Sequence, residues 1–209
     1  GMSRRLVAFA GVLIGFVRGG LSLVNILAST FFGAISGSSV ADTASIGSVM
    51  IPEMEKRGWR RDFSASLSAA AGPIGQMIPP SIPLIIWGVV SEQSISQLFL
   101  AGIIPGLMIA AGLMVVCYVV ARRSPDIPQE SRATLQEVRS GLWDGKWSLL
   151  APVIILGGIY GSVFTPTEAS AVAVFYALVV GLLIHRELKL RDLARIIMSS
   201  MRTSAIVCF

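Results

Sequence analysis

Two stretches of the chain place small polar residues and helix breakers within long apolar sequence. The first is the run SGSS at positions 36–39, which is followed by Asp42. The second, Gly72–Pro83, contains four prolines and two glycines. Proline has no N–H to donate, and its ring in a helix clashes with a carbonyl one turn earlier. Serine hydroxyls and carbonyls without helical partners carry little formal charge, and such oxygens are suited to coordinate Na⁺.

The composition is typical of an integral membrane protein. Of the 209 residues, 54% are hydrophobic and 14% are charged, and the mean hydropathy is +0.74. A soluble domain usually carries about a quarter charged residues. Cys117 and Cys208 lie in apolar runs without the spacing of metal ligands, so they are interpreted as small buried apolar residues. His185 stands at the end of an apolar run and is interpreted as an interfacial side chain.

Four stretches that lack Asp, Glu, Lys and Arg are predicted to cross the membrane: Phe63–Ser91, Gln93–Ala121, Trp147–Thr167 and Ala169–His185. All 17 lysines and arginines fall outside them, in four clusters. The turns within each pair of spans carry glutamate and no positive charge. The three clusters that flank the pairs therefore share one face, which the positive-inside rule predicts to be cytoplasmic.

The run Gly19–Pro52 contains a single charge, Asp42. One crossing would place Arg4, Arg5 and Arg18 on the wrong side, and two crossings would leave too few residues for each span. We therefore predict a re-entrant hairpin that enters from the cytoplasm and turns near positions 36–39. Broken backbone at that depth is stable only when it is buried in protein or lines a cavity.

The predicted fold class is all-α integral membrane, with about four transmembrane helices, a re-entrant helical hairpin and an unwound helix. The predicted segments are 1–18, a cytoplasmic interfacial helix; 19–56, the hairpin; 57–91, the broken transmembrane helix; 92–123, a transmembrane helix; 124–146, a cytoplasmic linker with an amphipathic helix around 133–142; 147–187, a transmembrane pair; and 188–209, the start of a further segment that we expect to be cut off.

Other motifs are interpreted structurally. Pro105 and Pro152 are interpreted as helix kinks. The GxxxG spacings at 33/37, 102/106 and 157/161 indicate close helix packing. Thr165 and Glu168 have the spacing of a capping box that begins a helix at Pro166. Asp42 either shapes a site or fastens the hairpin as a cap or a hydrogen-bond partner, because acids within a membrane are costly and are usually placed for a reason.

Four motifs together carry a family resemblance. They read GAISGSSVADTASIGSVMIPEM, GPIGQMIPPSIPLIIWG, LFLAGIIPGL and FTPTEASAVAVFYALVVGL, in this order. The chain resembles the large membrane subunit of tripartite ATP-independent periplasmic (TRAP) transporters, the DctM-like family. The resemblance implies an elevator-type, Na⁺-driven importer of small organic anions such as C4-dicarboxylates or sialic acid. It also implies a bacterial inner-membrane location and two inverted repeats, each with a hairpin and an unwound helix.

The resemblance further implies the residues of a site. A Na⁺ would lie between the hairpin tip and the unwound segment, bound by oxygens of Ser36 and Ser39 and by carbonyls around Gly75, Ile78 and Pro80. The substrate-side or site-shaping residues would be Gly37, Ser38, Asp42 and Ser81. The implied partners are a small four-helix membrane subunit, a periplasmic solute-binding protein and the lipid bilayer. No other cofactor, no other metal and no nucleic acid is expected.

The family's large subunit is about twice as long as this chain. The opening helices and most of the second repeat would be missing, so we expect a fragment that does not transport by itself. Two alternatives compete with this reading. An intramembrane protease using Asp42 would need a second membrane aspartate, which the sequence lacks, so no catalytic residue and no enzyme is predicted. A channel or structural membrane subunit would also show polar re-entrant loops.

Overall fold

The computed structural model describes residues 2–123, 135–185 and 188–208, and in these ranges the chain is helical and contains no strand. The helices are α1 (Met2–Ile14), α2 (Gly20–Ser36), α3 (Ser39–Lys56), α4 (Arg61–Ala71), α5 (Ile74–Met77), α6 (Ile82–Val90), α7 (Ile95–Arg123), α8 (Leu135–Tyr160), α9 (Pro166–Val179), which continues as a π-helical turn (Val180–Ile184), and α10 (Leu190–Cys208).

Two of these helices are long and apolar enough to cross a membrane, Ile95–Arg123 and Pro166–Ile184. The bent pair Arg61–Met77 and Ile82–Val90 makes a third if it counts as one span. The sequence predicts about four. The missing span is the predicted one at Trp147–Thr167. Helix α8 ends at Tyr160, so its apolar part, Gly145–Tyr160, is shorter than the helices that count as membrane spans.

The segment after α7 also differs from the prediction. We expected a short amphipathic helix around 133–142, separate from the next span. Residues 124–134 lie outside the described ranges, and from Leu135 onward α8 runs without interruption to Tyr160. Pro152 lies inside α8 and Pro105 inside α7, and neither proline ends its helix.

Helix α9 begins where the capping box predicts. The Thr165 hydroxyl accepts a hydrogen bond from the N–H of Glu168, and the Glu168 carboxylate accepts from the N–H of Thr165 at 2.8 Å. Pro166 occupies the first turn, where a backbone N–H would have no partner within the helix, so the missing N–H of proline costs nothing. The capping box is confirmed, and it explains why a new helix starts here after the turn at 161–164.

The main hydrophobic core lies where α1, α2, α3, α4, α5 and α7 pack together. Ala10, Ile26 and Met50 are completely buried in it, and Cys117 of α7 is buried as a free thiol, as predicted. A smaller cluster centred on Phe99 joins α7 to α8 and α9. The main core holds the pair α2 and α3 against α4 and α5. The two polar stretches of the sequence, positions 36–39 and 72–83, lie on or between these helices and are therefore brought together.

Candidate functional site

The run at 36–39 forms the tip of a helical hairpin. Helix α2 ends at Ser36, Gly37 adopts a left-handed backbone with φ 61°, and Ser38 caps α3 by accepting from the N–H of Ala41 at 3.3 Å. Asn25 on α2 contacts Met54 far along α3, so the two arms run antiparallel. A helical hairpin with its tip at the predicted residues is therefore present, while its depth in a membrane stays a prediction.

The second polar stretch interrupts a helix twice. Helix α4 ends at Ala71, the single turn α5 ends at Met77, and α6 begins at Ile82. Between them Ile78 has extended backbone, and Ser81 caps α6 by accepting from the N–H of Leu84 at 3.4 Å. The helices on either side of the break are bent by 43°.

This interruption frees the three carbonyls that the sequence singled out. In a continuous helix the Gly75 carbonyl would accept from residue 79, which is a proline without an N–H. The Ile78 carbonyl would accept from Ile82, whose N–H donates to the Gly37 carbonyl instead, at 3.3 Å. The Pro80 carbonyl loses its donor in the same way, because the N–H of Leu84 is directed to the Ser81 hydroxyl.

The hairpin tip is in contact with this broken helix. Besides the bond from Ile82 to Gly37, the side-chain amide of Gln76 donates to the Ser39 hydroxyl at 2.7 Å. A Cβ atom on Gly37 would stand only 2.5 Å from the Pro80 carbonyl oxygen. The tertiary structure thus brings Ser39, Gly37 and Pro80 together, although they are far apart in sequence.

Glycines allow this close approach. A Cβ on Gly33 would lie 2.4 Å from the Cα of Gly75, so α2 and α5 touch backbone to backbone. On α7, a Cβ on Gly102 would lie 2.5 Å from the carbonyl oxygen of Met77, so α7 also approaches the backbone of α5 closely. The close-packing interpretation is confirmed at these positions. It is not supported at Gly157, where a Cβ would meet no described atom within 4 Å.

Ser36, Gly37, Pro80 and Ser81 face a cleft of about 190 Å³. Its opposite wall consists of apolar residues of α8 and α9 together with Ser170. Ser81 is completely buried, and its hydroxyl donates to the Gln76 carbonyl. Ser38 is not among the residues that face the cleft, and its hydroxyl is engaged as a helix cap.

Asp42 is completely buried in the first turn of α3. Neither of its carboxylate oxygens has a hydrogen-bond partner among the residues that the structure describes. The Ser29 hydroxyl on α2 faces the carboxylate. The hypothesis that Asp42 fastens the hairpin, as a cap or as a hydrogen-bond partner, stays a prediction, and Ser29 is the neighbouring hydroxyl that could serve as the partner.

Gln76 was not singled out from the sequence as a site residue, yet it joins the broken helix to the hairpin tip. A signal existed, because Gln76 is the one amide side chain in the uncharged stretch between Gly72 and Pro83.

The ends of three helices add an electrostatic feature to the site. The N-termini of α3 and α6 and the C-terminus of α2 meet near Gly37, so partial charges of both signs converge there.

Comparison with known proteins identifies relatives of this chain. The family model for the DctM component of tripartite ATP-independent periplasmic transporters matches residues 1–209. The 2,3-diketo-L-gulonate TRAP transporter large permease protein of Escherichia coli is 43% identical over the whole chain, which covers 49% of that protein. The C4-dicarboxylate large permease protein of Pseudomonas aeruginosa is 40% identical, with 100% of this chain and 49% of the relative covered.

The sialic acid TRAP transporter large permease protein of Vibrio cholerae is 42% identical over 99% of the chain and 48% of its own length. The chain thus spans about half the length of these curated relatives. All three are named as transporter permease proteins and not as enzymes.

Proposed function

Because the chain belongs to the family of the DctM component of tripartite ATP-independent periplasmic transporters, we propose that it forms part of the large permease subunit of a Na⁺-coupled importer of small organic anions. The family consists of transport proteins, so the protease alternative does not hold. The subunit resides in the bacterial inner membrane with its basic loops in the cytoplasm, as the distribution of lysine and arginine suggests.

The observation that carries this proposal is the loss of the helical donors to Gly75, Ile78 and Pro80. One of the three donors is a proline nitrogen, and the other two are diverted to the Gly37 carbonyl and the Ser81 hydroxyl. Three carbonyls at membrane depth then need another partner, because lipid offers none. A Na⁺ ion supplies that partner and is bound by neutral oxygens in many transporters with broken helices.

The hairpin tip supplies the remaining ligands in this proposal. Ser36 and Ser39 are partly buried, and their hydroxyl oxygens accept from the Ser38 N–H and the Gln76 amide, respectively. An oxygen that accepts one hydrogen bond retains a lone pair for a cation. The donor set is therefore made only of oxygen and carries no charge at the tip, which fits a monovalent ion. When bound, Na⁺ would tie the tip to the broken helix.

The cleft beside Gly37 and Ser81 is the proposed contact surface for substrate in this half of the subunit. Ser81 and Ile82 at the N-terminus of α6 line the cleft, and the partial positive charge of that helix end favours an anionic group. The relatives' names mention a diketo-gulonate, C4-dicarboxylates and sialic acid, so an organic acid of this size is the proposed cargo. A periplasmic binding protein delivers it, and a small membrane subunit completes the complex.

In an elevator mechanism the hairpin and the broken helix would move as one unit. The two bonds across the interface, Gln76 to Ser39 and Ile82 to Gly37, support such a unit. The glycine contact of Gly33 with Gly75 supports it as well, because backbones in van der Waals contact leave no space for relative sliding.

The test uses the intact subunit with its small membrane partner, reconstituted in liposomes. Uptake of a radiolabelled C4-dicarboxylate, sialic acid or diketo-gulonate is measured with the cognate binding protein. We expect accumulation only with an inward Na⁺ gradient and the binding protein. Uptake that depends neither on the Na⁺ gradient nor on the binding protein would contradict the proposal and favour a channel.

Substitutions of the proposed Na⁺ ligands test the ion site in the same uptake assay. Ser36→Ala and Ser39→Ala should shift the Na⁺ activation curve to higher concentration while membrane insertion is retained. The matched control is Ser48→Ala on α3, the helix that begins at Ser39, where an exposed hydroxyl donates to the Ser45 carbonyl. Unchanged activation in both site variants would argue against the ligand assignment.

A further inference from the structure

Gln76 forms hydrogen bonds in two directions, and each bond reaches a different part of the proposed site. Its side-chain amide nitrogen donates to the Ser39 hydroxyl at 2.7 Å, and its main-chain carbonyl accepts from the Ser81 hydroxyl. Ser39 is a proposed Na⁺ ligand, whereas Ser81 faces the cleft that is proposed for the anion. A single residue therefore contacts both the ion site and the anion cleft.

The carbonyl of Gln76 is available for this bond because of a proline. In a continuous helix it would accept from residue 80, and Pro80 has no N–H. The carbonyls of Gly75 and Ile78 lose their helical donors as well, but the Gln76 carbonyl has the Ser81 hydroxyl as its partner. It therefore connects the break in the helix to the start of α6.

The bond from Ser81 to Gln76 fixes the orientation of a buried hydroxyl. Ser81 is completely buried, and while its hydroxyl donates to the Gln76 carbonyl, its oxygen accepts from the N–H of Leu84 at 3.4 Å. A hydroxyl has one hydrogen, so the bond to Gln76 leaves the lone pairs of Ser81 free to cap α6. The start of α6, which lines the cleft, thus depends on the position of the Gln76 carbonyl.

The bond from Gln76 to Ser39 acts on the ion site in a similar way. The amide occupies one lone pair of the Ser39 oxygen, and the second lone pair stays available for a cation. Gln76 also follows Gly75 directly in the chain and lies two residues before Ile78, whose carbonyls are further proposed ion ligands. A shift of α5 that improves Na⁺ coordination consequently moves the Gln76 carbonyl as well.

We propose that Gln76 is a positioning residue that couples Na⁺ at the hairpin tip to anion binding in the cleft. Bound Na⁺ draws Ser39 and the carbonyls beside Gln76 into one arrangement, and the Gln76 carbonyl then holds Ser81 and the start of α6 in place for an anion. Coupling between two sites is reciprocal, so a change at Ser81 alters the affinity for Na⁺ as well. The inference rests on the proposed Na⁺ coupling and adds the residue through which that coupling passes.

The experiment measures ²²Na⁺ binding to the intact subunit, purified in detergent with its small membrane partner. Ser81→Ala removes no proposed ion ligand but takes the partner from the Gln76 carbonyl. We expect the dissociation constant for Na⁺ to rise about fivefold, which is the change in affinity that one neutral hydrogen bond carries. Ser81→Gly is a second variant in case the first does not fold, because glycine serves as a helix N-cap at little cost in stability.

The matched control is Thr165→Ala. It also removes a hydroxyl that caps a helix, but this helix is α9, which contributes no proposed ion ligand. Na⁺ binding should therefore stay at the wild-type level in Thr165→Ala. Wild-type Na⁺ affinity in the folded Ser81 variants would overturn the proposal.

Gln76→Leu tests the link itself, because it keeps the main-chain carbonyl and removes the amide that holds Ser39. We expect this variant alone to bind Na⁺ about fivefold more weakly than the wild type. The two substitutions interrupt one path, so Gln76→Leu combined with Ser81→Ala should weaken binding about five- to tenfold in total. Independent effects would multiply to about 25-fold, and that result would overturn the proposal.

Transport kinetics separate positioning from a general loss of structure. In the liposome uptake assay, the KM for the transported anion should fall as Na⁺ rises in the wild type, and this dependence should be largely lost in Gln76→Leu. A lower maximal rate with the Na⁺ dependence of KM intact would show a merely structural role and overturn the proposal. Wild-type subunit that binds no ²²Na⁺ would contradict the proposed function as well, whereas independent effects in a protein that binds Na⁺ overturn this inference alone.

Discussion

The main-chain N–H of Ile82 donates to the carbonyl of Gly37 at 3.3 Å, and this bond connects the hairpin tip to the first residue of α6. It has two consequences. It satisfies a carbonyl at the tip, and it removes from Ile78 the donor that a continuous helix would supply. The same contact brings the left-handed Gly37 within reach of Pro80. We call this contact between Gly37 and residues 80–82 the joint.

Gly37→Ala should destabilise the joint. Residue 37 has φ +61°, and an alanine Cβ would stand 2.5 Å from the Pro80 carbonyl oxygen. Strained backbone of this kind costs about 1–3 kcal/mol. We expect a lower melting temperature in detergent and weaker Na⁺ binding. Gly112→Ala is the control, because no described atom lies within 4 Å of its added Cβ, and it should keep or slightly raise stability. Equal stability of the two variants would show that the joint tolerates a side chain.

Ser39 and Gln76 should be energetically coupled. Their bond of 2.7 Å is the side-chain link between the tip and the broken helix. In a double-mutant cycle of Ser39→Ala and Gln76→Leu, we expect a coupling free energy of about 0.5–1.5 kcal/mol in unfolding experiments. Strictly additive effects would mean that the bond does not contribute in the folded subunit.

Gly33→Ala should separate α2 from α5. A Cβ at this position would lie 2.4 Å from the Cα of Gly75, and backbone atoms cannot rotate away as a side chain can. Overpacking in a close-packed core costs about 1–3 kcal/mol. We expect this loss in unfolding free energy together with reduced Na⁺ affinity. Gly157→Ala, where the added Cβ meets open space, is the control, and a similar loss there would point to a general effect of the substitution.

Thr165→Ala should weaken the start of α9. The Thr165 hydroxyl accepts from the Glu168 N–H at 3.3 Å and donates to the Glu168 carboxylate at 2.9 Å. Loss of an N-cap costs about 1 kcal/mol, which lowers the melting temperature. Thr165→Ser keeps the hydroxyl and should retain most of the stability. Na⁺ binding should change in neither variant, because α9 contributes no proposed ligand.

Local rules account for the parts of the site that were predicted from the sequence. The prolines at 79, 80 and 83 dictate where the helix is interrupted, since they cannot donate or fit within a helix. Gly37 marks the end of α2 because glycine tolerates the left-handed backbone of a helix C-cap. The Thr165 and Glu168 spacing predicts the start of α9 through reciprocal bonds of one helical turn.

Other features could not be predicted because they depend on contacts between distant residues. The bond from Gln76 to Ser39 and the approach of Gly33 to Gly75 require α2, α3 and α5 to pack together. The extent of α8, which runs from Leu135 to Tyr160, could not be predicted either, because helices in proteins owe most of their stability to tertiary packing and not to local propensity.

The sequence by itself determined the class of protein, the positions of the two breaks and the oxygens available there. Those properties follow from hydropathy, from charge distribution and from the backbone chemistry of proline, glycine and serine, which act over one helical turn. Only the tertiary structure decided that Ile82 donates to Gly37 and that Asp42 is completely buried. Hydrogen-bond pairing between helices depends on packing geometry, and packing geometry is a property of the whole fold.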